Sequence, residues 1–238
     1  MDQQIETLAE FPITRKWPAS RPDVLQLYSF PTPNGIKVSA MLEETGLAYE
    51  PHLVSLMDGE TTSPEFLSLN PNNKIPAILD PNGPGGETMG LFESGAILIY
   101  LAEKTGKFLS DDPVTRYQTL QWLMWQMGGV GPMFGQLGFF HAYGGKDFED
   151  KRPWTRYKEE TQRLLDVLDD RLADRAFIMG DDYTIADIAI WPWVRALDTG
   201  YKAWDLLEIG ELDNVMRWFE TCSTRPASQK AVNIPPRP

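Results

Sequence analysis

Apolar residues repeat in two different ways along this chain, and the change falls just after Asp111-Asp112-Pro113. Before that point, short apolar runs predict strands at 24–28 and 49–56. Between them, the stretch at 35–46 predicts a helix that stops at Gly46. A short helical turn is expected near Pro64-Glu65-Phe66-Leu67, followed by strand character within Asn72–Asp80. The run Pro81-Asn82-Gly83-Pro84-Gly85-Gly86 predicts a turn that joins Ala77–Asp80 to Thr88–Phe92 as a hairpin. A helix then opens near Glu93-Ser94-Gly95 and continues through Leu101. The predicted order, β-α-β-α-β-β-α, is that of an α/β domain.

After Pro113 no strand-like run remains and helical spacing takes over. Residues 114–143 read as one helical segment. Gly128, Gly129, Gly131, Pro132, Gly135 and Gly138 within it predict a bend or a close backbone approach. From Trp154 on, Tyr157, Thr161, Leu164, Leu168 and Leu172 share one helix face, so that helix packs by a stripe. Thr184 and Asp187 form a capping box, with Tyr183 and Ile188 as its hydrophobic staple. The expected organisation is an extension at 1–22, with Phe11, Ile13 and Trp17 suited to an arm on a surface, then an α/β domain at 23–108 and an all-helical domain at 113–230.

Composition narrows the function classes. Thirty-four acids against 22 bases give a net charge of −12, which disfavours nucleic acid and anionic membranes as partners. No run approaches the roughly 20 apolar residues that span a bilayer. The early residues lack the apolar core of a secretion signal, so neither secretion nor membrane insertion is expected. The single cysteine, Cys222, cannot close an intrachain disulfide and fits a reducing, cytoplasmic setting. His52 and His141 stand alone, without the cluster that a metal site needs.

The stretch Ser29-Phe30-Pro31-Thr32-Pro33-Asn34-Gly35-Ile36-Lys37 lies between a predicted strand and a predicted helix, where open α/β sheets do chemistry. It holds no cysteine, histidine or carboxylate. Its chemical groups are the Thr32 hydroxyl and the Asn34 amide.

An Ile75-Pro76 before the third strand, Glu93-Ser94-Gly95 opening the last helix of the first domain, a helical second domain with Thr184-x-x-Asp187, and a late Arg225-Pro226-Ala227 together resemble the cytosolic glutathione transferases. The likeness covers nearly all of residues 23–230. Pro31-Thr32-Pro33-Asn34-Gly35, Asn72-Asn73-Lys74-Ile75-Pro76, Phe92-Glu93-Ser94-Gly95 and Ile190-Trp191-Pro192-Trp193 are similar to the nu class, bacterial relatives of the yeast nitrogen-regulator transferase domain. The implied fold is a thioredoxin-like α/β domain followed by the all-helical transferase domain.

The resemblance implies that bound glutathione, as one or two molecules or as glutathione disulfide, supplies the thiol missing from the turn. A free thiol titrates near pH 8.5, and lowering that by roughly two units takes about 2.7 kcal/mol of preference for the anion. One hydrogen bond to a charged group supplies roughly 1.5–3 kcal/mol and a helix amino terminus about 0.3–1. Asn34 and Thr32 beside a helix end therefore suffice as the expected catalytic pair. The resemblance further implies that Ile75 binds through its main chain, beside a cis Ile75–Pro76 bond, and that Lys74 meets the glycyl carboxylate. Glu93 would take the γ-glutamyl ammonium, Ser94 its carboxylate, and Arg156 a further carboxylate. Thr61 stands where this class often has glutamine, which leaves that contact open.

The implied activity is disulfide reduction, with peroxide reduction and weak conjugation beside it, acting on a small disulfide or electrophile in a homodimer. A second reading keeps the scaffold and drops the chemistry, giving a glutathione-binding regulator. A third is a glutathione-independent relative of the dehalogenase type. Trp122, Trp125, Trp191 and Trp193 read as core, and Met127, Met133, Phe134, Phe139 and Phe140 as either seam or apolar pocket.

Overall fold

The computed structural model describes residues 8–237, so the first part of the expected extension lies outside the described residues. The chain forms two compact units. One holds the residues up to Thr105 together with those from Gln229 on, and the other is Gly106–Ser228.

The first unit begins with a short helix, α1 (Ile13–Lys16). A strand β1 (Leu25–Ser29), a helix α2 (Pro33–Thr45) and a strand β2 (Tyr49–Leu53) follow. Then come α3 (Pro64–Leu69), β3 (Ala77–Asp80), β4 (Met89–Phe92) and α4 (Ser94–Thr105). The sheet order is β2-β1-β3-β4; β2 lies parallel to β1, and β3 runs antiparallel to both β1 and β4. This is the expected β-α-β-α-β-β-α order with its hairpin.

Three boundaries differ from the sequence reading, each for a local reason. Helix α2 starts at Pro33, because Thr32 caps it by accepting from the Gly35 N–H at 3.3 Å. Strand β2 ends at Leu53, after which the Ser55 hydroxyl donates to Asp58 and turns the chain. The strand expected within 72–80 is confined to Ala77–Asp80. Residues 70–74 instead form a turn built on buried Asn70, which accepts from the Asn72 N–H and donates to the Lys74 carbonyl.

The described part of the arm before β1 is largely exposed, with three side chains anchored inward. Leu8, Ile13 and Trp17 are buried in one cluster with Tyr28, Phe66, Leu69 and Leu79. The Trp17 indole N–H donates to the Leu53 carbonyl at 3.0 Å. Its apolar residues were legible in the sequence; what they cover follows only from the fold.

In the second unit, α5 (Pro113–Trp125) runs into a single π-helical turn at Gln126–Val130 and on into α6 (Gly131–Ala142). Two of the glycines there permit close approach: a Cβ on Gly131 would sit 2.7 Å from Gln126 Nε2, and one on Gly138 2.6 Å from the Tyr201 ring. Helix α7 (Arg152–Leu172) buries Thr161, Leu164, Leu168 and Leu172 of the expected stripe together with Leu165, whereas Tyr157 is half-buried. Helices α8 (Ile185–Thr199), α9 (Asp213–Ser223) and α10 (Pro226–Ala231) complete the order, the last crossing from the second unit into the first. Trp191 and Trp193 are buried, whereas Trp122 and Trp125 are half-buried, edge to face with each other at 5.1 Å.

Candidate functional site

Strand register brings three distant segments to one end of the sheet. Tyr28 near the end of β1 lies opposite Ala77 at the start of β3, and Ala77 lies opposite Phe92 at the end of β4. The turn at 30–34, the Ile75–Pro76 bond and the Glu93–Ser94 corner therefore emerge side by side. Five of the expected residues and the main chain of a sixth thus share one place in the first unit: Thr32, Asn34, Lys74, Glu93, Ser94 and Ile75.

In the turn, the Thr32 oxygen accepts from Gly35 N–H as the helix cap, which leaves its own O–H proton available to donate elsewhere. Asn34 is half-buried in the first turn of α2, where backbone N–H groups point outward and favour an anion. Ser29, at the strand end, is fully buried with its hydroxyl directed to the Phe30 carbonyl. Gly35 lets the helix start this close to the strand, since a Cβ there would lie 1.9 Å from the Phe30 oxygen and 2.6 Å from Ser29 Oγ. Gly35→Ala is accordingly expected to push the turn away from the sheet and lower stability by about 1–3 kcal/mol, the usual cost of overpacking. Denaturant unfolding measures this, and an unchanged midpoint would mean that the close approach is unimportant.

The Ile75–Pro76 peptide is cis. Among the described residues, no hydrogen bond uses the Ile75 N–H or C=O. An unpaired donor and acceptor at a strand end are what an added peptide strand requires. Lys74 is exposed beside it, its side chain free to reach a carboxylate.

Glu93 occupies left-handed backbone, with φ of 71°, and its carbonyl accepts from Ile97 N–H at 2.9 Å to start α4. A non-glycine residue in that region is uncommon and marks a corner with a specific task. The Glu93 side chain is exposed, while Ser94 is buried at the helix start. A buried hydroxyl and an outward carboxylate on adjacent residues present an anion site and a cation site next to each other.

Sequence reasoning missed Lys37. It is fully buried in α2, one turn beyond Asn34, and its ammonium Nζ donates to Ser94 Oγ at 3.2 Å. Burial draws the Lys37 ammonium down to about 7, partly opposed by the charge of Glu93. The available signal was a lone charge in the otherwise uncharged run Pro33–Leu42.

Arg156 belongs to the second unit, exposed near the start of α7 in a groove with Lys151, Arg152, Thr155 and Glu159. Thr61 lies in a short 3-10 turn before α3. The two histidines have structural partners. His52 donates to Gln26 Oε1 at 2.7 Å and stacks on Tyr28, and His141 Nδ1 accepts from the Trp154 indole at 3.2 Å.

Comparison with known proteins bears on this geometry. Residues 23–103 match the family model of the glutathione S-transferase N-terminal domain, and residues 152–221 match that of the C-terminal domain. The chain is 46% identical over 212 residues to the Escherichia coli disulfide-bond oxidoreductase YfcG, covering 88% of this chain and 94% of that one. Among solved structures, a Pseudomonas putida glutathione transferase with one glutathione disulfide bound per subunit superimposes with a TM-score of 0.95 at 61% identity, covering 97% of this chain and 100% of that one. A Burkholderia graminis glutathione transferase with two glutathione molecules bound per subunit gives a TM-score of 0.96 at 58% identity, covering 99% and 98%.

Proposed function

The chain belongs to the glutathione S-transferase family, and on that premise we propose that it is a nu-class, glutathione-dependent disulfide-bond oxidoreductase. One observation carries the reading: the strand register gathers an unpaired peptide edge at Ile75, a site for an anion at Ser94 beside a site for a cation at Glu93, and a helix amino end at Thr32–Asn34. When bound, glutathione supplies the thiolate that attacks a disulfide sulfur, and two glutathiones balance the reduction of one disulfide to two thiols.

The protein's residues hold and bias that reagent. The Asn34 amide and the Thr32 hydroxyl donate to the sulfur and favour its anion, with the amino end of α2 behind them. The main chain of Ile75 pairs with the cysteinyl peptide as an added strand. Glu93 pairs with the γ-glutamyl ammonium, while Ser94 and the start of α4 receive its carboxylate. Lys74 meets the glycyl carboxylate, and Arg156 contributes a fork for a further carboxylate, as from a second glutathione or the disulfide. Because this turn offers no cysteine, the protein passes through no mixed disulfide of its own there.

We place the protein in the cytoplasm, where glutathione is reduced, and as a homodimer. Exposed Val114, Tyr117 and Met124 on α5 give such an interface an apolar face. No helix among the described residues is long and apolar enough to cross a membrane.

The test is reduction of a small dialkyl disulfide by glutathione, followed through glutathione disulfide formation, alongside thermal unfolding with and without glutathione. The expected result is turnover together with a raised melting temperature. A raised melting temperature without turnover would replace the enzyme with a regulator, and neither effect would remove glutathione from the account.

A further inference from the structure

Lys37 is an unusual presence in this site. Among the described residues it is the charged side chain in the group of largest fully buried ones, and it sits in α2 under the turn that carries Asn34. Its ammonium touches the Ser94 hydroxyl at 3.2 Å, so it reaches from the thiol-side helix to the start of α4. Burial weakens a lysine's hold on its proton, and an arriving anion strengthens it. Among the described residues, the charge of Glu93, just before Ser94, favours the ammonium form of Lys37. The other acids of its own helix are Glu43 and Glu44, nearly two turns away, and Glu43 is engaged by Lys230 and by the Tyr49 hydroxyl. On α4 the remaining charges, Glu103 and Lys104, lie at the far end of the helix from Ser94.

We propose that Lys37 is a positioning residue for the γ-glutamyl end of glutathione: its amine orients the Ser94 hydroxyl and takes up a proton as the ligand's carboxylate settles on Ser94. The proposal rests on the glutathione reading above and adds to it a buried partner beneath the anion site. In the free protein the group is poised near neutrality, since burial brings it to about 7. In the complex the carboxylate shares the Ser94 hydroxyl with Lys37 and holds the ammonium form. Proton and ligand therefore bind together, and affinity rises as pH falls from the alkaline side toward neutrality. The same link joins α2 to α4, so the helix end that steadies the sulfur and the one that takes the carboxylate respond to one charge.

The experiment is calorimetric binding of S-methylglutathione, which has no ionisable thiol, near pH 7 in buffers of different ionisation enthalpy. The full-length wild type is compared with Lys37→Met and Lys37→Gln. The expected wild-type result is uptake of about half a proton per bound ligand, as for a group titrating near the working pH that becomes fully charged on binding. The ligand's own ammonium is already charged near pH 7 and adds little. Both variants are expected to lose that uptake and to bind about tenfold more weakly.

Equal uptake in wild type and variants, or no uptake in wild type with normal binding, overturns the role of Lys37 and leaves the glutathione reading intact. Failure of the wild type to bind S-methylglutathione at millimolar concentration overturns both. If neither variant folds, the wild-type profile decides. Uptake that is present near pH 7 and gone below about pH 5.5, where a lysine of this kind is already charged, supports the role. Uptake that appears only toward pH 9 belongs to the ligand's ammonium and overturns it.

Discussion

Asn34→Ala is expected to slow glutathione-dependent disulfide reduction by roughly three- to tenfold at pH values below the wild-type thiol pKa and to raise that pKa by about one to two units. The magnitude comes from two opposed effects. Losing one hydrogen bond to a charged sulfur removes about 1.5–3 kcal/mol of anion stabilisation, and each pKa unit corresponds to 1.36 kcal/mol. Below the wild-type thiol pKa the thiolate fraction then falls by about ten- to a hundredfold. A more basic thiolate is a better nucleophile, with a Brønsted coefficient of about 0.4–0.5, so close to half of the logarithmic loss returns.

The sign of the pH dependence follows from this. The variant's deficit is largest below the wild-type thiol pKa and shrinks as pH rises past the variant's, where both proteins hold thiolate. Thr32→Val should act in the same direction while also removing the cap of α2, so its effect includes about 1 kcal/mol of lost stability. A pH–rate comparison of wild type with both variants is the measurement. A uniform loss at all pH values would assign Asn34 to orientation alone. No loss at any pH would remove it from the mechanism.

The second large effect concerns stability. Asp187→Ala is expected to destabilise the protein by about 3–5 kcal/mol, the usual consequence of breaking a buried charged network. Sequence alone suggests a capping box, whose loss costs about 1 kcal/mol. In the structure Asp187 is fully buried and accepts from the Ile178 N–H at 2.9 Å, the Thr184 N–H at 2.9 Å and the Trp218 indole at 2.9 Å, with the Thr184 hydroxyl at 3.1 Å. It joins the turn before α8, the helix start itself and α9, so removing it leaves donors from all three without an acceptor.

Thr184→Ala removes only the hydroxyl of the cap and should cost about 1 kcal/mol. Thermal unfolding separates the two. Asp187→Ala is expected to lower the melting temperature by about 10 °C and Thr184→Ala by about 3 °C, given roughly 2–4 °C per kcal/mol for a chain of this size. Equal, small shifts would return Asp187 to the role of an ordinary cap.

These two residues illustrate what was legible beforehand. Asn34 could be singled out because Pro-Asn-Gly between a strand and a helix leaves few chemical groups, and the likeness to a glutathione-using family explains the missing nucleophile. Asp187 could be placed at a helix start by its spacing from Thr184. Its reach to Trp218 and Ile178 could not be read, because both partners are brought in by packing and not by local spacing. Lys37 was hidden for a related reason. Sequence rules treat lysine as solvated, and only the packing of α2 on α4 shows its ammonium under Ser94.

Local periodicity and turn chemistry, with the Ile-Pro and Glu-Ser-Gly landmarks, determined the order of elements, the hairpin, the passage to an all-helical unit and the family. Those features depend on residues close in the chain, whose preferences hold without the rest of the fold. The tertiary structure decided which distant groups meet. The register of β1, β3 and β4 aligns Thr32, Ile75 and Ser94 at one sheet end. The described part of the arm before β1 is anchored by Ile13 and Trp17, which pack into one apolar cluster with Tyr28 and Phe66. Burial gives Lys37 its softened charge, because desolvation is set by every surrounding atom and no short stretch of sequence contains them.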